Sequence, residues 1–269
     1  MPTELSPKNP RIALVHDLLG PAGRRAQRRF LAEGPTILKE AERSGLRPVE
    51  VYATADALGS ADARVLVAVY EPAGIPVYQV PEPAFKRISD VTTGTGLLGI
   101  FEYRERTVDE ILAGPGPVLL LAGVNDPGNA GTLVRSAEAF GAAGVLFGRG
   151  GADPYGPKVV RATMGSLFRV PVAVVDPQQV LAAAADAGRP VVATDVDGED
   201  LAAAGVPPNA FLAIGNERRG VRDWLPSWDV AVRIPQREAT ESLNAAVAGS
   251  IVLYEAARCQ EGCQVAEKR

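Results

Sequence analysis

Cysteine, histidine, long apolar runs and a basic excess are what this 269-residue chain lacks, and each shortage excludes a class of protein. Cys259 and Cys263 are the only cysteines, four positions apart near the C-terminus. Neither a disulfide framework nor a four-ligand zinc site can be built from them, so free thiols on the last helix are expected. His16 is the single histidine, and no metal-ligand cluster is legible. No uninterrupted apolar run approaches the ~20 residues that span a bilayer. The N-terminus, with Glu4, Lys8 and Pro10 ahead of a short apolar stretch, does not have the organisation of a signal peptide. A cytoplasmic protein without a membrane partner or a metal is therefore expected. The 28 lysines and arginines stand against 32 aspartates and glutamates, a net charge of −4. That balance argues against indiscriminate nucleic-acid binding, because phosphate contacts need clustered cations. Distribution matters more than the sum, and Arg24, Arg25, Arg28 and Arg29 fall within six residues.

What is present is hydrophobic: 46% of residues, enough to bury a sizeable core in one large or two modest domains. The first hundred residues alternate short apolar strands with amphipathic helices, the order of an α/β layer. Phe30 to Gly34 and Val49 to Thr54 read as strands around a helix near Pro35 to Ser44, with Pro35 in the first turn and Gly45 at the C-terminal cap. Gly114-Pro115-Gly116-Pro117 breaks both kinds of element and marks a boundary. The expected organisation is a first domain over 1–105, a linker over 106–116 and a second domain over 117–269. In the second domain, nearly all-apolar strands at Val118 to Ala122, Val145 to Phe147, Val170 to Val175, Val191 to Thr194, Phe211 to Ile214 and Val230 to Ile234 alternate with helices. That pattern predicts a parallel sheet with helices on both faces. Ligands bind such sheets in the crevice beyond the carboxyl ends of the strands.

The spacing Gly94-Thr95-Gly96-Leu97-Leu98-Gly99 fits a dinucleotide-binding glycine loop, but its context does not. That loop must follow a strand and open a helix, whereas Leu97 to Tyr103 reads as a strand. Three other segments, each at the end of a predicted strand, carry more. Asn125-Asp126-Pro127-Gly128-Asn129 leads into a helix, with Asn129 as the expected N-cap and Arg135 nearly two turns later on the same face. Ile214-Gly215-Asn216-Glu217-Arg218-Arg219-Gly220 is a polar turn whose glycines let the backbone approach a flat ligand. Ile234-Pro235-Gln236 through Ser242-Leu243-Asn244 precedes an apolar helix that Ser242 or Asn244 caps or leaves to face a ligand. Taken singly, each segment reads first as a helix cap or a tight turn.

Together and in this order they resemble the three motifs of the SpoU (TrmH) family of SPOUT methyltransferases, over about Val118 to Arg258. Phe30-Leu31-Ala32-Glu33-Gly34 and Ile88-Ser89-Asp90 resemble the smaller N-terminal α/β/α substrate-recognition domain of many members. The resemblance implies S-adenosylmethionine-dependent methylation of a ribose 2′-hydroxyl in RNA, first of all ribosomal RNA, in a housekeeping or an antibiotic-resistance role. Transfer RNA as substrate, or a non-catalytic RNA-binding or ribosome-assembly factor, are the alternatives. It also implies a C-terminal trefoil knot and a homodimer with the active site at or near the interface. By carry-over, Asn129, Arg135, Glu217, Ser242 and Asn244 surround the reaction. Ala193, Thr194, Ile214, Gly215, Asn216, Glu217, Ile234, Gln236, Ser242, Leu243 and Asn244 surround the cofactor. Arg24, Arg25, Arg28, Arg29 and Arg135 are expected to meet RNA. The sequence departs from the family pattern at Asp126-Pro127, at Arg218-Arg219, at Arg237-Glu238, and at Thr93 to Gly96, where Pro-Gln-Gly is common.

Overall fold

A strand whose every side chain is apolar has no face to offer to water and must lie in a sheet covered on both sides. Val118–Ala122 and Gly144–Gly148 are such strands, and each of their residues is buried. The chain is seen here as a computed structural model that describes residues 2–92, 94–237 and 243–267, with side chains to 259. It divides into two compact units, Met1–Tyr103 with Tyr155–Phe168, and Arg104–Pro154 with Arg169–Arg269.

The first unit runs β1 (Thr3–Glu4), α1 (Pro10–Asp17), α2 (Pro21–Gln27), β2 (Arg29–Glu33), α3 (Pro35–Arg43), β3 (Glu50–Ala53), α4 (Ala55–Gly59), α5 (Ala61–Tyr70), β4 (Val77–Gln79), α6 (Glu82–Ile88) and β5 (Leu97–Glu102). Its sheet has the order β1-β4-β3-β5-β2. The β1–β4 and β3–β4 pairs are parallel, while β5 is antiparallel to both β3 and β2. Pro35 opens α3 and Gly45, at φ 70°, follows its end, as the alternation predicts. A strand, β5, follows the Gly94–Gly96 turn, which removes the helix that a dinucleotide loop needs.

The second unit runs α7 (Val108–Leu112), β6 (Val118–Ala122), α8 (Pro127–Ala139) and β7 (Gly144–Gly148). After α9 (Pro157–Ala162), which clusters with the first unit, come β8 (Val172–Val175), α10 (Pro177–Ala187), β9 (Val191–Asp200), α11 (Leu201–Ala204), β10 (Phe211–Gly215), β11 (Val230–Arg233) and α12 (Ala245–Glu267). All six strands are parallel, in the order β11-β9-β10-β6-β7-β8. Alternation along β6 sends Val118, Leu120 and Ala122 into one buried cluster with Ile111 of α7 and Val180 and Ala184 of α10. Leu119 and Leu121 point the opposite way and are buried too. On the opposite face of β10, Gly249 of α12 sits so close to Leu133 and Ile214 that a Cβ there would stand 2.4 Å from the leucine. Helices therefore cover both faces.

Two boundaries differ from those expected. Residues 106–116 are not an unstructured linker, because Thr107 and Glu110 form a reciprocal capping box that starts α7. Tyr155–Phe168 clusters with the first unit because its rings pack there. Tyr155 lies 4.9 Å from Phe30 and 4.1 Å from Tyr103 between ring centroids, and Phe168 lies 5.2 Å from Phe101.

Among the described residues, no helix is long and apolar enough to cross a membrane, and no group of three or more His, Cys, Asp or Glu is placed to hold a metal. Cys259 is a half-buried free thiol, and the side chain of Cys263 lies outside the described residues.

Tyr155→Ala should cost about 3–5 kcal/mol, as aromatic core truncations do. Hydrogen exchange should accelerate in β2 and β5 and leave β6 and β10 protected. Equal loss of protection in both sheets would overturn the placement of residues 155–168.

Candidate active site

The start of α8 is set by Asp126 rather than by Asn129. Asp126 is a strong N-cap residue and Pro127 is pre-shaped for the first helical position; the Asp126 carboxylate accepts from the backbone N–H of Asn129 at 2.7 Å. The expectation that Asn129 caps the helix is thereby corrected, with a consequence for its side chain. Freed from capping, the amide of Asn129 reaches across to two other segments.

Asn244 does cap a helix: its Oδ1 accepts from Ala246 N at 2.9 Å and from Val247 N at 3.2 Å. Those two donors require oxygen on that side of the amide, so the Nδ2 of Asn244 faces away. It donates to Oδ1 of Asn129 at 2.9 Å, which turns the Nδ2 of Asn129 onto Oε1 of Glu217. One capping interaction thus fixes the orientation of two amides and a carboxylate drawn from three separate segments.

Glu217 is carried by a turn that only glycine can close. A Cβ on Gly215 would stand 2.1 Å from the carbonyl carbon of Gly220 and 2.3 Å from Val221 N, an overlap that backbone cannot relieve. Within the turn, Gly220 N donates to Asn216 O at 2.8 Å and Arg218 N to Oδ1 of Asn216 at 3.0 Å.

At the carboxyl ends of β10 and β11, and beside the middle of β9, lies a cavity of about 350 Å³. Val196, Ile214, Val232, Ile234, Leu243, Ala245 and Ala248 give it apolar walls, and Thr194, Asn216, Glu217 and Gln236 give it polar points. Thr194 is held by its own hydroxyl, which donates to Ala213 O at 3.0 Å. The rim residue Asp195 accepts from Nε of Arg222 at 2.9 Å, and Arg222 also reaches Asp197 at 3.5 Å and lies 5.5 Å from the ring centre of Trp228. That bond from Arg222, helped by the backbone N–H of Asp197, holds the Asp195 carboxyl below the usual carboxylate range against the opposing effect of burial.

A second, larger cavity of about 870 Å³ shares Asn216, Glu217 and Gly220 with the first. Asn125, Asn129 and Asn244 line it, as do Arg149, Arg218, Arg219, Asp223 and Trp224. Arg149 pairs with Asp176 at 2.8 Å and Arg219 with Asp223 at 3.2 Å, both at exposed positions. Exposed pairs of this kind add little stability and leave the cations available to solvent-borne anions.

Of the residues singled out from sequence, the structure brings Asn129, Glu217 and Asn244 into one hydrogen-bonded chain. It sets Thr194, Ile214, Gly215, Asn216, Glu217, Ile234, Gln236 and Leu243 around the first cavity. Ala193 is fully buried in β9, with its methyl in the core cluster. Ser242 lies outside the described residues. Arg135 does not share a face with Asn129: six residues at about 100° each stop about 120° short of two full turns. It is exposed, and among the described residues lining the two cavities it does not appear.

Arg24 is a further correction. Only 3% exposed, it donates through Nη1 to the carbonyls of Leu18 and Leu19 at 2.8 Å each, satisfying acceptors just past the end of α1 instead of facing RNA. Arg25 and Arg28 are exposed and Arg29 is partly so; the Arg28 guanidinium lies 5.7 Å from the ring centre of Tyr103. Sequence reasoning missed Asp195, Arg222, Arg149 and Trp224. Asp195 and Arg222 stand 27 residues apart with no local signal, whereas Asp126-Pro127 was a legible cap signature.

Because Asp195 gives up its proton more readily folded than unfolded, its pairing with Arg222 stabilises the fold above the ordinary aspartate value of about 3.9. The contribution is lost as pH falls through the lower folded value. Arg222→Gln should therefore lose less stability than the parent on acidification below about pH 4, read by denaturant titration. Identical acid limbs would show that the pair does not act on the fold.

Residues 116–254 match the SpoU rRNA Methylase family, and residues 9–99 match the MRM3-like substrate binding domain. The 23S rRNA (uridine(2479)-2′-O)-methyltransferase of Streptomyces viridochromogenes is 41% identical over 140 residues, 49% of this chain and about half, 49%, of that enzyme. The 23S rRNA (guanosine(2553)-2′-O)-methyltransferase RlmP of Bacillus subtilis (strain 168) is 30% identical over 227 residues, 84% of this chain and 87% of that one. Among solved structures, an RNA 2′-O ribose methyltransferase superposes with a TM-score of 0.78 at 31% identity, covering 96% of this chain and 99% of its own. The SpoU methyltransferase AviRb of S. viridochromogenes, in complex with the cofactor AdoMet, does so with a TM-score of 0.79 at 28% identity, covering 94% and 98%. With matches that reach from the strand ends bearing the Asn244–Asn129–Glu217 chain to the substrate-binding unit, the chain belongs to the SpoU rRNA methylase family.

Proposed function

We infer that the chain transfers a methyl group from S-adenosylmethionine to a ribose 2′-hydroxyl of ribosomal RNA. The observation that carries this is Glu217, which lines both cavities and is held between them by Asn129 and, through it, Asn244. The smaller cavity suits the cofactor: its volume is that of a small-molecule site, with apolar walls for a flat adenine and polar and charged side chains for orientation. Thr194, Ile214, Gly215, Asn216, Ile234, Gln236 and Leu243 are the residues that hold it in this reading.

S-adenosylmethionine, when bound, supplies an activated methyl on a sulfonium leaving group. The chain has to align one ribose oxygen and take one proton. Asn129 occupies Oε1 of Glu217 and leaves the other oxygen to accept, and a carboxylate that borders both cavities takes the part of proton acceptor in this reading. A guanidinium, with a pKa above ~12 and no acceptor atom, cannot fill that part. Arg135, which lines neither cavity within one chain, keeps the part that the family resemblance gives it, positioning the adjoining phosphate and stabilising charge on the ribose oxygen from the face that a second copy covers.

A homodimer belongs to the same reading. Val247 and Tyr254, 47% and 54% exposed on α12, and exposed Arg135 on the neighbouring α8, make a face that a second copy covers. The trefoil knot and the location of the active site near that interface are implied by the family resemblance. The first unit, matched to a substrate-binding domain, docks RNA through Arg25, Arg28 and Arg29.

Labelled methyl transfer to total bacterial RNA, separated into large ribosomal, small ribosomal and transfer fractions, tests the reaction. Label resistant to alkaline cleavage should appear in a ribosomal fraction and fall by about 100-fold or more with Asn129→Ala. Label in no fraction, despite cofactor binding, would refute it. Arg135→Ala should lose more activity than Arg135→Lys, and full activity in both removes Arg135 from the reaction. Replacing Arg25, Arg28 and Arg29 together by alanine should reduce the slope of log affinity against log salt by about two to three. An unchanged slope would place the RNA elsewhere.

A further inference from the structure

The larger cavity extends to a side chain that methyl transfer, as described, does not use. Trp224 lies against the carboxyl ends of β6 and β7, where two glycines make room for it. A Cβ on Gly148 would stand 2.7 Å from Trp224 Cε2 and 2.8 Å from Cζ2, and one on Gly123 would touch the same side chain at 3.6–3.8 Å. The direction of the ring is set by its Nε1–H, which donates to the Arg149 carbonyl at 3.0 Å. The part of the indole packed on the apolar cluster is ordinary core. The remainder lines a polar cavity with Arg149, Arg218 and Arg219, in company with Asn129 and Glu217. A tryptophan that only filled space would be enclosed by apolar neighbours. This one is pressed on backbone, tethered by a hydrogen bond and turned to a cavity that three arginines also line.

An immobilised aromatic surface beside arginines is the combination by which proteins take hold of unpaired bases: the ring stacks the base and the cations meet the flanking phosphates. We propose that Trp224 is the stacking platform for an unpaired RNA base next to the reacting ribose, with Arg149, Arg218 and Arg219 on its phosphates. The proposal rests on the reading of the two cavities as cofactor and ribose sites. It adds a residue outside the three motifs that holds the RNA in register while Glu217 meets the hydroxyl. Asp126 and Asp223 also line the cavity, and Asp223 pairs with Arg219 at 3.2 Å, an exposed pair that a phosphate can replace.

The chain has two tryptophans, Trp224 and Trp228, so full-length protein with Trp228→Phe reports on Trp224 alone. With S-adenosylhomocysteine saturating the cofactor cavity, titration with decauridylate should quench its emission saturably. Unquenched emission at saturating decauridylate would overturn the proposal. In the wild-type background, Trp224→Leu should raise the KM for ribosomal RNA on the order of 10- to 100-fold, with Trp224→Phe between it and the parent. Affinity for S-adenosylmethionine should stay unchanged in both. An unaltered KM in Trp224→Leu, or cofactor affinity falling in step with KM, would reduce Trp224 to a packing residue. If Trp224→Leu does not fold, Trp224→Phe and the fluorescence titration still decide. Methyl transfer by the parent is read in the same assay: RNA methylated by the parent with no effect of Trp224 defeats this inference alone, whereas no methylation of any RNA by the parent defeats the reading beneath it.

Discussion

Two backbone N–H groups at the start of α12 determine the polar geometry on which the rest of the site depends. Ala246 and Val247 need an acceptor, Asn244 supplies its oxygen, and the amide nitrogen is left to point outward. A planar amide has one oxygen and one nitrogen, so that choice passes to Asn129 and from Asn129 to Glu217. The carboxylate is thereby oriented by helix capping two residues removed from it. The first member of the chain, the capping oxygen of Asn244, satisfies donors that the fold must satisfy in any case. It also makes the three loops interdependent, since no one of them positions Glu217 alone.

The close quarters of the site have the same origin in backbone chemistry. Gly215 lets β10 turn back on Gly220 at a distance no side chain permits, and that turn brings Glu217 to the boundary between the two cavities. Asp126 and Pro127 take over the capping of α8, which releases Asn129 for the chain of amides. Arg222 ties Asp195 and Asp197 together and so holds the β9 segment that walls the smaller cavity.

Charge is distributed on the same economical plan. A chain of net charge −4 can still present local cationic surfaces. Arg25, Arg28 and Arg29 gather at the start of β2 in the first unit, and Arg149, Arg218 and Arg219 gather at the larger cavity in the second. Arg24, in the same run of sequence as the first group, does a different job: buried, it satisfies carbonyls beyond α1. Adjacent arginines on a helix point about 100° apart, so a run of them is never a single surface.

The sequence by itself determined the parallel sheet, because strands such as Val118–Ala122, apolar at every position, exclude any arrangement with a wet face. It also determined that three polar loops stand at strand ends and, through their motifs, the family. Tertiary structure decided which of the named residues meet. Asn129, Glu217 and Asn244 are separated by 88 and 115 residues along the chain from Asn129, and their order in the hydrogen-bonded chain follows from amide orientation, which no spacing encodes. Tertiary structure likewise set Arg135 apart from Asn129, buried Arg24, paired Asp195 with Arg222, and moved Tyr155–Phe168 to the first unit. The physical reason is common to all: local periodicity reports how far a residue can turn along its own element. Burial, ring packing and the satisfaction of a distant donor depend on which elements the fold brings together.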